Sequence, residues 1–118
     1  MRTVDREFDQ SVRHARQMAS GGSFVANLTL RLAPDQGVPG VLFASTIADP
    51  DAAEFVPSVE DGVREFVTRK AADGVPIGHL RVTLIEMPIH PVDASPRHFR
   101  EAAGMAMAEA FKRHGTDD

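Results

Sequence analysis

The chain has 118 residues, no cysteine, tryptophan or tyrosine, and a formal charge of -4. That length fits one domain over residues 1–118, with a core that needs no disulfide or metal staple. The composition excludes thiolate zinc sites, cysteine nucleophiles and a membrane helix, fits a reducing, cytoplasmic setting, and argues against a free-standing nucleic-acid binder held by counterion release.

The charge is uneven. Residues 1–31 carry five Arg against three acids, a balance of +2. Residues 32–61 carry six acids and no Lys or Arg, and residues 62–118 hold eight of each sign. Arg13, His14 and Arg16 therefore make a basic start ahead of an acidic middle. Such runs are usually solvated faces; the sharper reading is that one end of the fold meets phosphate and the other avoids it.

In chain order, residues 2–9 read as a short edge strand, and the stretch from 10 to 23 ends in the loop Ala19-Ser20-Gly21-Gly22-Ser23. From Phe24 to Leu32 apolar and polar residues alternate, which predicts a half-buried strand. Val41 to Ile47 is a second strand, and Asp49-Pro50-Asp51 a loop. A helix begins at Pro57 or Ser58, with Ser58 and Asp61 as a capping box. It buries Val59, Val63, Phe66, Val67 and Ala71 and stops at Gly74-Val75-Pro76. His79 to Glu86 alternates again. Met87 to Ala94 is a loop, after which Ser95 caps and Pro96 opens a last helix with the stripe Phe99, Ala102, Ala103, Ala106, Ala110 and Phe111. Lys112, Arg113 and His114 suit its C-terminal end, and Gly115 is placed as its C′ residue. The expected architecture is α+β: a two-layer sandwich with a mixed sheet of about four strands and two helices on one face.

The chemistry-bearing motifs are mostly missing. No phosphate-binding P-loop, GxGxxG, HExxH or EF-hand pattern occurs. The five histidines at 14, 79, 90, 98 and 114 lack metal-ligand spacing. His90, Asp93 and Ser95 lie too close in sequence for a triad and have simpler readings as loop residues and a helix cap. No cofactor, metal or nucleotide is expected. What stands out is a pair of loops, residues 18–23 and 87–94, both of small or polar residues and each approached by a histidine, His14 and His90. On neighbouring strands they would share one end of the sheet, a natural contact surface.

The residues resemble domain IV of the ribosomal translocase elongation factor G. Glu54-Phe55-Val56-Pro57-Ser58-Val59-Glu60-Asp61-Gly62-Val63 is similar to that family's E-Y-I-P-A-V-x-x-G-I. Ile89-His90-Pro91-Val92-Asp93-Ala94-Ser95 is similar to Y-H-D-V-D-S-S, and Phe99-Arg100-Glu101-Ala102-Ala103 to F-x-x-A-A. Upstream, His14-Ala15-Arg16-Gln17 resembles H-A-K-Q, and Val4-Asp5-Arg6-Glu7 the strand V-x-Y-R-E. The matches keep their order over almost the whole chain.

The resemblance implies a left-handed βαβ crossover, shared with a small-subunit ribosomal protein and with GHMP-type kinases. It also implies a non-enzymatic domain whose tip enters the ribosomal A site on the small subunit, touching ribosomal and transfer RNA. The contact residues it implies are His14, Arg16, Gln17, Ser20, Gly21, Gly22, Ser23, His90, Asp93 and Ser95. The departures are specific. Gly21 and Ser23 stand where the family loop has Arg and Gln, and Pro91 and Ala94 replace an acid and a Ser. No GTPase sequence is present. The expected partner is the ribosome or another structured RNA, bound weakly; the alternative is a protein-interaction module on the same scaffold. Met1 and the polar tail Gly115-Thr116-Asp117-Asp118 fit a complete small protein better than an excised piece.

Overall fold

A computed structural model describes residues 1–17, 19, 22–90 and 93–117. Among these residues the elements follow in the order β1 (Arg2–Val4), β2 (Phe8–Gln17), β3 (Ser23–Pro34), β4 (Val41–Ser45), α1 (Pro50–Ala53), α2 (Val56–Ala72), β5 (Leu80–Glu86), α3 (Pro96–His114) and β6 (Gly115–Asp117). The main sheet runs β2-β3-β5-β4, with β4 and β5 parallel and the other neighbours antiparallel. The parallel pair is joined through α2, as a parallel connection requires. The α+β sandwich expected from sequence is therefore present, with its four-stranded mixed sheet and two long helices.

Period two decides which face of the sheet is buried. In β3, Phe24, Ala26, Leu28, Leu30 and Leu32 all point inward, and in β5 so do Leu80, Val82 and Leu84. Val59, Val63 and Phe66 from α2 meet them, with Phe99, Ala102, Ala103, Ala106, Met107, Ala110 and Phe111 from α3. The alanine stripe lets α3 lie close to the sheet. Gly62 does the same between helices: a Cβ there would collide with the Arg100 carbonyl and sit 2.8 Å from Ala103 Cβ.

Several sequence expectations need correction. Residues 2–9 are not one edge strand. Residues 2–4 pair with Gly115–Asp117 in a separate two-stranded sheet, and the strand at the N-terminal edge of the main sheet, beside β3, is Phe8–Gln17. Its inward positions include Gln10 and His14, so apolar alternation does not reveal it. Residues 50–53 form one helical turn capped by Asp49, whose carboxylate accepts from the Asp51 N–H at 2.9 Å. Ser58 does not cap α2; Phe55 holds the N-cap position without a side-chain bond. Val67 is only half-buried and Ala71 is exposed. The strand begun at Val41 ends at Ser45 rather than Ile47. Gly115 is extended, with φ -66° and ψ 142°, and opens β6 instead of turning left-handed. Gly74, with φ 84°, takes the left-handed conformation that ends a helix.

Candidate nucleic-acid interface

The β2–β3 hairpin is ten residue pairs long, from Phe8↔Leu32 to Gln17↔Ser23. Its tip is the Gly-rich loop. The loop from Met87 to Ser95 leaves β5 and delivers the chain to α3. β3 and β5 are sheet neighbours, so the two loops share one end of the sheet.

They are also bonded to each other. Ser23 Oγ donates to Asp93 Oδ1 at 2.8 Å, and the Val25 N–H donates to the Asp93 carbonyl at 3.3 Å. The Asp93 N–H in turn donates to the His90 carbonyl at 2.9 Å. His90 is left exposed beside this junction. Ser95 is the N-cap residue of α3; its carbonyl accepts from the His98 and Phe99 N–H groups, and its hydroxyl makes no cap bond. Ser20 and Gly21 lie outside the described residues; Gly22 and Ser23 are exposed.

Arg16 and Gln17 are exposed at the end of β2 and line a shallow hollow with Ser23, Phe24 and Val25. Among the described residues, neither Arg13 nor Arg16 takes part in an ion pair. Arg31 is elsewhere: it pairs with Asp9 at 2.8 Å near the other end of the hairpin. On β2 the basic group nearest the tip is thus Arg16, with Arg13 farther along the strand.

His14 is not presented at the tip. Its Nε2 lies 3.1 Å from Glu101 Oε1 on α3, and its ring tilts against Phe24 at 4.7 Å. Glu101 also takes a bond from Arg97 at 3.4 Å. The hydrogen bond from His14 is the main reason its carboxyl is held below the usual range, with Arg97 adding to it. Nothing in the sequence points to His98. Its ring stacks on Phe24 with centroids 3.6 Å apart and planes 7° from parallel. Its Nδ1 is buried with no hydrogen-bond partner among the described residues, and burial lowers its pKa below the usual 6.5. Phe24 is only 7% exposed and already stacked, so it offers no free face to a base. The tip thus rests on a brace of β2, β3 and α3 built from His14, Phe24, His98 and Glu101.

Among the described residues no group of three or more His, Asp or Glu could hold a metal ion. Among the described residues no helix is long and apolar enough to cross a membrane.

A two-layer α+β domain whose hairpin tip and β–α loop are tied at one end is the class these features define. Residues 1–114 match the family model for elongation factor G, domain IV, and the chain belongs to that family. It is 31% identical over 111 residues to elongation factor G 1 of Syntrophomonas wolfei, covering 94% of this chain and 16% of that protein. It is 32% identical over 114 residues to elongation factor G of Cereibacter sphaeroides, covering 96% of this chain and again 16% of the relative. A crystal structure of a Thermus thermophilus protein superposes with a TM-score of 0.72 at 23% identity, over 97% of this chain and 17% of that one. The chain therefore spans about a sixth of the length of the proteins it matches.

Proposed function

We propose that the chain is a non-enzymatic translation-factor domain of the cytoplasm. Its paired tip contacts the A site of the small ribosomal subunit, or a similarly structured RNA. The observation that carries this reading is the Ser23–Asp93 bond, which joins the two loops on an elongation factor G domain IV fold. In the proposal Arg16, Gln17, Ser20, Gly21, Gly22 and His90 meet the RNA. Ser23 and Asp93 hold the loops together, Ser95 sets the start of α3, and His14 braces the hairpin against that helix.

The chemistry supports a weak contact. Arg16 supplies a guanidinium fork suited to phosphate, and His90 an imidazole that hydrogen-bonds phosphate or base edges. The loop lacks the Arg that the family carries there, and the chain is -4 overall. Affinity should therefore be modest and fall as salt rises. Pelleting of the pure protein with ribosomes tests the reading. Wild type should co-sediment at low salt, with Arg16→Ala and His90→Ala each weakened. No association at low salt would refute it.

A further inference from the structure

The sheet has two edges, and they differ. β4 is five residues long, and Arg64 Nη1 covers its Val41 carbonyl at 2.8 Å. β2 is ten residues long, Phe8 to Gln17, with no proline or glycine. Two bonds fix which of its backbone groups face outward. The Val25 N–H points away from β2, toward Asp93, so Ala15↔Val25 is a non-hydrogen-bonded pair. The Ser11 carbonyl is bonded by its neighbour's side chain, Gln10 Nε2, at 3.0 Å, and Ser11 has the same parity as Ala15. In an antiparallel ladder, pairs alternate. Asp9, Ser11, Arg13, Ala15 and Gln17 therefore turn their N–H and carbonyl groups to the open edge. Such an edge is a template for another strand.

We infer that this edge pairs antiparallel with the same edge of a second copy, about a two-fold axis at Ser11. The charge pattern selects that register. With Ser11 opposite Ser11, Asp9 of each copy faces Arg13 of the other, and the pair occurs twice. An axis at Arg13 would set Arg13 against itself, and an axis at Asp9 would set Asp9 against itself; like charges directly opposite are destabilising. An axis at Val12 would lose both ion pairs. In the Ser11 register Arg13, which has no ion pair among the described residues, gains a carboxylate. Asp9 already accepts from Arg31 at 2.8 Å and becomes the centre of an Arg–Asp–Arg row across the seam. On the inward face Phe8 meets His14 of the other copy. The Gln10 amide on the Ser11 carbonyl is a plug that the partner's Ser11 N–H displaces. Two four-stranded sheets join into one of eight strands, and an isologous contact of this kind closes at two copies. The seam spans residues 8–14, so Arg16, Gln17 and His90 stay open at the tip.

Sedimentation velocity on the full chain tests this. A dimer that grows with concentration is expected. Arg13→Asp, which sets two acids against each other twice, should weaken it by about tenfold or more, and far-UV circular dichroism should show an unchanged fold. The chain has no cysteine, so Ser11→Cys reports the register. Under mild oxidation it should cross-link faster than Val12→Cys or Lys112→Cys, because a directly opposed pair lies about 5.5 Å apart between Cα atoms, within disulfide reach. A monomer at all concentrations would overturn the proposal. So would a dimer indifferent to Arg13→Asp, or cross-linking at position 12 ahead of 11. A monomer whose β2 amides shift on adding a poly-glutamate peptide would assign the edge to an acidic strand instead, and would equally overturn it.

Discussion

Two glycines on the helices should respond to the same substitution with opposite signs. At Gly62 a methyl group would strike the Arg100 carbonyl and press to 2.8 Å on Ala103 Cβ. One obstacle is backbone and the other is the first atom of a side chain, so neither can swing aside and the helices must separate. Overpacking of this kind costs about 1–3 kcal/mol, and the upper half applies here. Replacing a helical glycine by alanine returns about 1 kcal/mol of backbone entropy. Gly62→Ala should therefore lose about 1–2 kcal/mol net. At Gly104 on α3 a Cβ meets nothing within 4 Å, so only the entropy gain remains, and Gly104→Ala should be about 0.5–1 kcal/mol more stable. Urea titration of both variants, with the m-value checked for constancy, reads the difference. A Gly62→Ala protein as stable as wild type would refute the claim that this contact sets the spacing of α2 and α3.

Other outcomes follow from the tip and its brace. Ser23→Ala removes the donor to Asp93 and should cost about 1 kcal/mol, with faster hydrogen exchange at the Val25 amide, which NMR can follow residue by residue. The neutral His98 ring is favoured by burial, so its folded pKa lies below the unfolded 6.5. On acidification the unfolded chain takes that proton first. Stability is therefore kept above pH 6.5 and declines as pH falls below it, and His98→Phe, which keeps an aromatic ring on Phe24, should show a shallower decline in thermal melts between about pH 7 and 5. Glu101 has the opposite chemistry and the same direction: its lowered pKa gives stability above the usual 4.5 that is lost at lower pH. Arg31→Ala breaks an exposed, solvent-screened pair away from the tip and should leave the thermal melt nearly unchanged, with ribosome association unaltered in the pelleting assay.

Where the polypeptide obeys one dominant rule, sequence reading succeeds. β3 and β5 alternate cleanly because one face is buried under helices, and α3 carries an unbroken apolar stripe between Pro96 and Gly115. β2 fails that rule. Its inward face spends Gln10 on a bond from Arg113 at 2.7 Å and His14 on Glu101, so half of its buried pattern is polar and only tertiary partners make it a strand. β1 and β6 fail for another reason: three-residue strands at opposite ends of the chain leave no periodicity to read. At the tip, the sequence pairs the two loops only on condition that their strands are neighbours, and through the family likeness; the β3–β5 pairing meets that condition. Neither supplies the Ser23–Asp93 bond, which is a distance between residues 70 apart. Nor do they show that His14 turns toward α3, or that His98 and Phe24 occupy each other's faces. The consequence for function is direct. Phe24 and His14 pack beneath the tip, and among the described residues Arg16, Gln17, Gly22, Ser23 and His90 are exposed there.

The central claim is that this tip, and not another face, meets RNA of the small ribosomal subunit. With no cysteine in the chain, a single photo-cross-linker can be attached at Gly22→Cys in the tip or at Thr116→Cys in β6, at the other end of α3. Cross-links to small-subunit RNA are predicted from position 22, lost at high salt, with none above background from position 116. Equal labelling from both ends, or labelling from position 116 alone, would contradict the claim.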